Sequence, residues 1–189
     1  MDNRTLEIYL REVVHQVEGA VVASGLLKQA LEAKDIGTTL GFSQNFMATA
    51  ASLSKLLWTN PSPVKPVWLD IDDEDYEAYC KHAATRSKSL RKVLKVTDSS
   101  PLKSRKVRNS LEHFDERLDA HTFAGKPIVD RNWGPLHMMP FKREDILRHF
   151  DPQTLTLTVL SESVSFPDLI AEMSRVGARA QTLLNNDRR

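Results

Sequence analysis

Arg108-Asn109-Ser110-Leu111-Glu112-His113 is the stretch on which the reading of this chain turns. It lies in a run, 101–121, whose apolar residues Val107, Leu111, Phe114 and Leu118 recur at steps of four, three and four. That spacing stacks them on one stripe of an amphipathic helix. At about 100° per residue, Arg108, Asn109, Glu112, His113 and Glu116 fall on the opposite half. A face that only meets water is well served by Lys and Glu. An Arg-Asn pair followed by His asks for another explanation.

Immediately upstream the chain is basic. Between Lys81 and Arg108 stand Lys81, Arg86, Lys88, Arg91, Lys92, Lys95, Lys103, Arg105, Lys106 and Arg108, with Asp98 the sole acid. The whole chain carries a net charge of only +1, so this block is a local asymmetry of the kind that attracts phosphates. It reads either as a nucleic-acid contact or as a solvated face balanced by the acids at 70–77 and 112–119.

Further out, the pattern is mostly helical. Leu6, Leu10, Val13, Val17, Val21, Leu27 and Leu31 predict a first helix over 4–34, weakened at Gly19 and Gly25 and closed by Gly37 and Gly41. A second helix, about 43–58, carries Phe46, Ala50, Leu53 and Leu57. The prolines of 59–70 forbid a helix there. The acidic run 70–75 reads as the first turn of a third helix, favoured by the dipole, although clustered carboxylates also suit a hard cation. That helix, about 73–96, has Tyr76, Cys80, Ala83, Ser87, Leu90 and Leu94 on a packing seam. Ser100 and Pro101 then start the helix bearing the Arg-to-His stretch.

Beyond Gly125 the periodicity changes. Residues 126–141 read as an irregular loop, 142–150 as a short helix, and 153–166 as a strand pair turning near Ser161-Glu162. A last helix follows Pro167, with Leu169, Met173, Val176, Ala180 and Leu183 on one face. The expected architecture is one mainly α domain over 1–189: a helical core of about 1–125, and a β-hairpin and extra helix over about 126–189.

Composition excludes several classes. With 41 % hydrophobic and 27 % charged residues, the chain is of ordinary globular type. Its single cysteine, Cys80, allows no internal disulfide and no cysteine zinc cluster. No apolar run approaches the roughly 20 residues a membrane helix needs, and the charged start lacks a secretory apolar segment, so a cytoplasmic protein is expected. His15, His82, His121, His137 and His149 show no metal-ligand spacing and read as structural. Trp58, Trp68 and Trp133 flank proline-rich connections and read as loop anchors.

Arg and His with four to six residues between them occur three times, as Arg108/His113, Arg131/His137 and Arg143/His149. The middle pair contains Gly134-Pro135, and in the third the Arg is followed by Glu144-Asp145. Only the first follows a basic block, lies deep in a predicted helix and has Asn after its Arg. The segment VRNSLEHFDERLD, with the helices before it, resembles the signature of the HEPN superfamily: Arg, a polar residue, three to five residues, then His. Arg108, Asn109 and His113 match that pattern one for one.

The resemblance implies an up-and-down four-helix bundle over about 1–125 and a metal-independent endoribonuclease without cofactors, commonly a toxin or phage-defence effector. In that chemistry His113 takes a proton from a ribose 2′-hydroxyl, which suits a side-chain type with an ordinary pKa of about 6.5. Arg108 holds the phosphate and offsets developing charge, and Asn109 orients its partners by hydrogen bonding. Lys103, Arg105 and Lys106 are the candidate RNA-binding residues. The products carry a 2′,3′-cyclic phosphate and a 5′-hydroxyl. On a continuous helix Arg108 and His113 diverge by about 140°, so a homodimer with the active site at its interface is expected, restrained in a toxin by an antitoxin protein. The acids Glu112, Asp115, Glu116 and Asp119 around His113 support an alternative, a non-catalytic HEPN module that binds nucleotide, RNA or a partner protein.

Overall fold

Two antiparallel helices at the N-terminal end set the frame of the computed structural model, which describes residues 2–59, 61–160 and 162–186, with the backbone alone at Arg108 and Ser110. Helix α1, Asn3–Glu32, starts at Asp2, whose carboxylate accepts from the Thr5 amide at 2.8 Å. Helix α2, Ile36–Leu57, repeats the device with Asp35 and the Thr38 amide at 3.0 Å. An acidic cap satisfies amides that the first turn leaves without partners. That cap is why α2 begins well before residue 43 and takes in Gly37 and Gly41, which were expected to lie outside any helix. Gly25 does not break α1. Gly19 marks a close approach, since a Cβ there would lie 3.1 Å from Thr49 Cγ2.

Helix α3, Asp73–Leu94, packs on α2, burying Ala83, Ser87, Leu90 and Leu94. The fourth long helix is α6, Phe166–Asn186. Its Leu169, Met173, Val176, Ala180 and Leu184 share one hydrophobic core with Leu10, Val13, Phe46, Leu53, Leu57, Leu90 and Leu94. The helix read as an addition to an N-terminal core therefore runs along α1 inside the core itself.

The Arg-to-His stretch corrects the sequence reading. It is not one long helix over 101–122 but a 3-10 turn at Pro101–Lys103, a short α4 at Lys106–Glu112 and α5 at Phe114–Phe123. The bend is at His113, with φ −110° and ψ 36°. It brings Phe114 under the Arg148 guanidinium, 4.9 Å from the ring centroid, and lets His121 hydrogen-bond the Pro127 carbonyl at 2.7 Å.

The expected helix at 142–150 is absent. A 3-10 turn at Arg143–Asp145 leads into strand β2, Arg148–Asp151. Together with β1 (Asn132–Trp133), β3 (Thr156–Val159) and β4 (Glu162–Ser165) it forms a sheet of order β1-β2-β3-β4. β1 runs parallel to β2, and the other pairs are antiparallel. The β3–β4 hairpin stands where alternation placed it; of its expected turn, Ser161 lies outside the described residues. The hairpin needed a partner edge for its apolar face, and β2 and β1 supply it. Trp133, Phe150, Leu157 and Val164 share the core face, where Phe150 meets Phe166 edge-on at 5.8 Å and Phe166 meets Phe46 at 4.9 Å.

Arginines close the helix ends. Arg86, Arg91 and Arg105 donate to the carbonyls of Leu56, Leu57 and Trp58 at the end of α2. Arg175 donates to the Lys95 carbonyl at 3.2 Å and Arg179 to the Val93 carbonyl at 3.2 Å at the end of α3. The last carbonyls of a helix have no partner within it, and a guanidinium there also complements the dipole. Trp58 is buried and Trp133 packs on Phe150 at 6.0 Å, so both pin their loops. Trp68 does not: it is 76 % exposed.

Candidate functional site around His113

Val107, buried, and Leu111, half-buried, hold α4 against α2 and the β3–β4 hairpin. Asn109 is half-buried on the same short helix. The His113 amide donates to the Asn109 carbonyl at 3.0 Å, and the Arg117 amide to the His113 carbonyl at 3.1 Å. His113 is thus the last linked residue of α4 and the first of α5. Its side chain is 56 % exposed and its Nδ1 lies 3.4 Å from Glu116 Oε1. The Arg108 side chain, and with it the expected divergence from His113, lies outside the described residues; the backbone is helical from Lys106 to Glu112 and bends at His113.

An open cleft of about 380 Å³ adjoins the bend, lined by Gln44, Met47, Ala48, Ser52, Lys55 and Glu112 among others. Lys55 and Glu112 form an ion pair across it at 3.3 Å. Two helix faces with small residues, closed at one edge by opposite charges, form this cleft, and Glu112 on its rim immediately precedes His113.

The three candidate RNA-binding residues each have an intramolecular partner. Lys103 Nζ lies 3.3 Å from Asp98, Lys106 Nζ lies 3.5 Å from Glu162, and Arg105 donates to the Trp58 carbonyl. Arg86 stacks over Tyr9 at 4.8 Å and Arg91 over Trp58 at 5.5 Å. With Lys81 held by Glu77 at 2.7 Å, six of the ten residues of the basic block close α2 or pair locally. The exposed Lys88, Lys92 and Lys95 make no ion pair among the described residues.

One feature of the C-terminal region escaped the sequence reading. Asn132, His149, Thr158 and Ser163 are in register across the four strands, on the face opposite Phe150. Thr158 and Ser163 share a hydroxyl hydrogen bond at 2.8 Å, and Arg143 donates to Ser163 at 2.5 Å. His149 is fully buried, and neither of its ring nitrogens has a hydrogen-bond partner among the described residues. Burial pushes its imidazole below the ordinary histidine value, while the Gly134 backbone and the Asp151 carboxylate pull the other way. The threonine alternation of 154–158 was the available signal, but β2 could not be paired with it from sequence.

Among the described residues, no group of three or more His, Cys, Asp or Glu side chains is arranged to hold a metal ion, the acids of 70–75 included. No described helix is long and apolar enough to cross a membrane. Comparison of the chain with family models, with characterised proteins and with solved structures returned no match.

Proposed function

We propose that the chain is a metal-independent endoribonuclease of the HEPN type, with Arg108, Asn109 and His113 as its catalytic residues. The observation that supports this reading is the exposed imidazole at the α4–α5 bend, tied through its backbone to Asn109 and one residue beyond Glu112 on the rim of an open cleft. A side chain that served only packing would be buried; this one is offered to solvent. His113 removes the 2′-hydroxyl proton, the oxygen attacks the adjacent phosphate, and the strand leaves as a 5′-hydroxyl beside a 2′,3′-cyclic phosphate. Arg108 carries the phosphate charge and Asn109 orients the ribose. Lys103, Arg105 and Lys106 lead the RNA toward the bend. A homodimer with the site at its interface, a cytoplasmic location and restraint by an antitoxin protein belong to the same reading.

The test is incubation of purified protein with a broad RNA panel in excess EDTA. Cleavage to cyclic-phosphate ends, abolished by His113→Ala and Arg108→Ala in folded protein, is the expected result. Cleavage that survives either change, or that needs Mg²⁺, overturns it.

The contact between His113 and Glu116, with the local partners of Lys103, Arg105 and Lys106, favours a second reading. In it the chain is a non-catalytic HEPN module that binds nucleotide, RNA or a partner protein. RNA binding without any cyclic-phosphate product selects that reading.

A further inference from the structure

Along 70–95, helix α3 with its flanks, every acid precedes every base, with Lys81 and Arg86 between an acidic and a basic block. Residues 70–77 hold Asp70, Asp72, Asp73, Glu74, Asp75 and Glu77, and residues 88–95 hold Lys88, Arg91, Lys92 and Lys95, with no charge of opposite sign inside either block. Such an order fits the helix dipole, which accounts for the first and last turns. It does not account for how little of the helix is packed. Between residues 73 and 82 no side chain is buried; the first is Ala83.

The preceding loop is fastened to this projecting half rather than to the core. Tyr76 Oη donates to the Ser62 carbonyl at 2.7 Å, and Lys65 Nζ donates to the Ile71 carbonyl at 2.7 Å and pairs with Asp73 at 2.7 Å. The fastened loop presents Val64, Val67 and Trp68 to solvent. At the other end of α3 an open cleft of about 470 Å³ is lined by Trp58, Ala84, Lys88, Arg91, Lys103 and Arg105 among others. One helix thus offers an acidic flank with an exposed indole at one end and a basic cleft at the other.

We propose that α3 docks antiparallel on α3 of a second copy of this chain. Glu74, Glu77, Lys81, Ala84 or Thr85, Lys88, Lys92 and Lys95 are all exposed and recur at steps of three and four, forming one stripe. Reversal about the midpoint of Ala84 and Thr85 sets Glu74 against Lys95 of the second copy and Glu77 against Lys92, in both directions. It sets Lys81 against Lys88, where Lys81 is already held by Glu77 at 2.7 Å. Ala84 and Thr85 at the axis are small enough for close approach. The contact is self-complementary, as a two-fold interface requires. It uses α3 rather than the α4–α5 bend, so it is a contact additional to the homodimer of the ribonuclease reading, and each can be lost without the other.

The test is the mass of the full chain in solution by light scattering and sedimentation. Association at low salt that is lost near about 1 M salt, where screening acts beyond about 3 Å, is expected. Glu74→Lys/Glu77→Lys and Lys92→Glu/Lys95→Glu each halve the low-salt mass with unchanged circular dichroism, and mixing the two restores it with one of each variant at the contact. A low-salt mass that salt does not lower, a double variant that associates alone as the wild type does, or a mixture that stays at the halved mass overturns the proposal.

Discussion

Gly177 of α6 lies so close to Val17 of α1 that a Cβ on it would come within 2.8 Å of Val17 Cγ1 and 3.2 Å of Val17 Cβ. Val17 is β-branched and stiff, so it cannot swing away as the tip of a longer side chain would. Gly177→Ala gains up to about 1 kcal/mol of helix propensity but meets overpacking of about 1–3 kcal/mol. It is expected to lower the denaturation midpoint, and Val17→Ala in the same chain to recover part of the loss. Gly25→Ala is the contrast: nothing lies within 4 Å of its Cβ position, and the variant is expected to raise stability by up to about 1 kcal/mol. Urea denaturation of the four chains checks both signs.

Arg91 and Lys92 are neighbours with different work. Arg91 closes the Leu57 carbonyl at the end of α2, whereas Lys92 is exposed and makes no ion pair among the described residues. Arg91→Ala is expected to cost about 1–3 kcal/mol, the penalty of a carbonyl left without its partner. Lys92→Ala is expected to change stability by less than about 0.5 kcal/mol. Equal losses in the two variants would show that the basic block acts as a whole and not through the α2 end.

His149 makes stability depend on pH. Its folded-state value is depressed, chiefly by burial, so the unfolded chain binds the proton more readily. The contribution of the neutral imidazole is complete above the ordinary value of about 6.5 and falls as pH drops below it. Urea midpoints measured through that range should decline toward acid in the wild type and decline less in His149→Gln. Parallel curves would remove His149 as the cause.

His113 and Val107 separate chemistry from packing on α4. His113 is 56 % exposed, so His113→Ala is expected to move stability by less than about 0.5 kcal/mol. Val107 is buried in the core, and Val107→Ala is expected to cost about 1–3 kcal/mol. Thermal melts of the two variants decide it; a His113→Ala loss as large as that of Val107→Ala would mark the imidazole as structural.

The long helices were legible because each buries a stripe of its own. Leu10, Val13 and Leu27 on α1, and Leu90 and Leu94 on α3, stand at helical spacing and are buried as that spacing predicts. The start of α2 was not legible, because Gly37 and Gly41 argue against a helix that the Asp35 cap starts all the same. The bend at His113 was hidden for a related reason. Val107, Leu111, Phe114 and Leu118 suit one continuous helix, and the partner that Phe114 meets beyond the bend, Arg148, is far along the chain. The candidate site was therefore visible as residue types but not as a shape.

The sequence by itself determined the mainly helical class, the segregation of charge along 70–95 and the alternation that makes a hairpin, because each is a local property of residue order. Tertiary structure alone decided that α6 joins the core beside α1, that arginines of the basic block close the end of α2, and that His149 lies buried in a polar row. Those outcomes depend on contacts between segments distant in sequence. No periodicity within one segment specifies which other segment will cover its apolar face or supply partners for its polar groups.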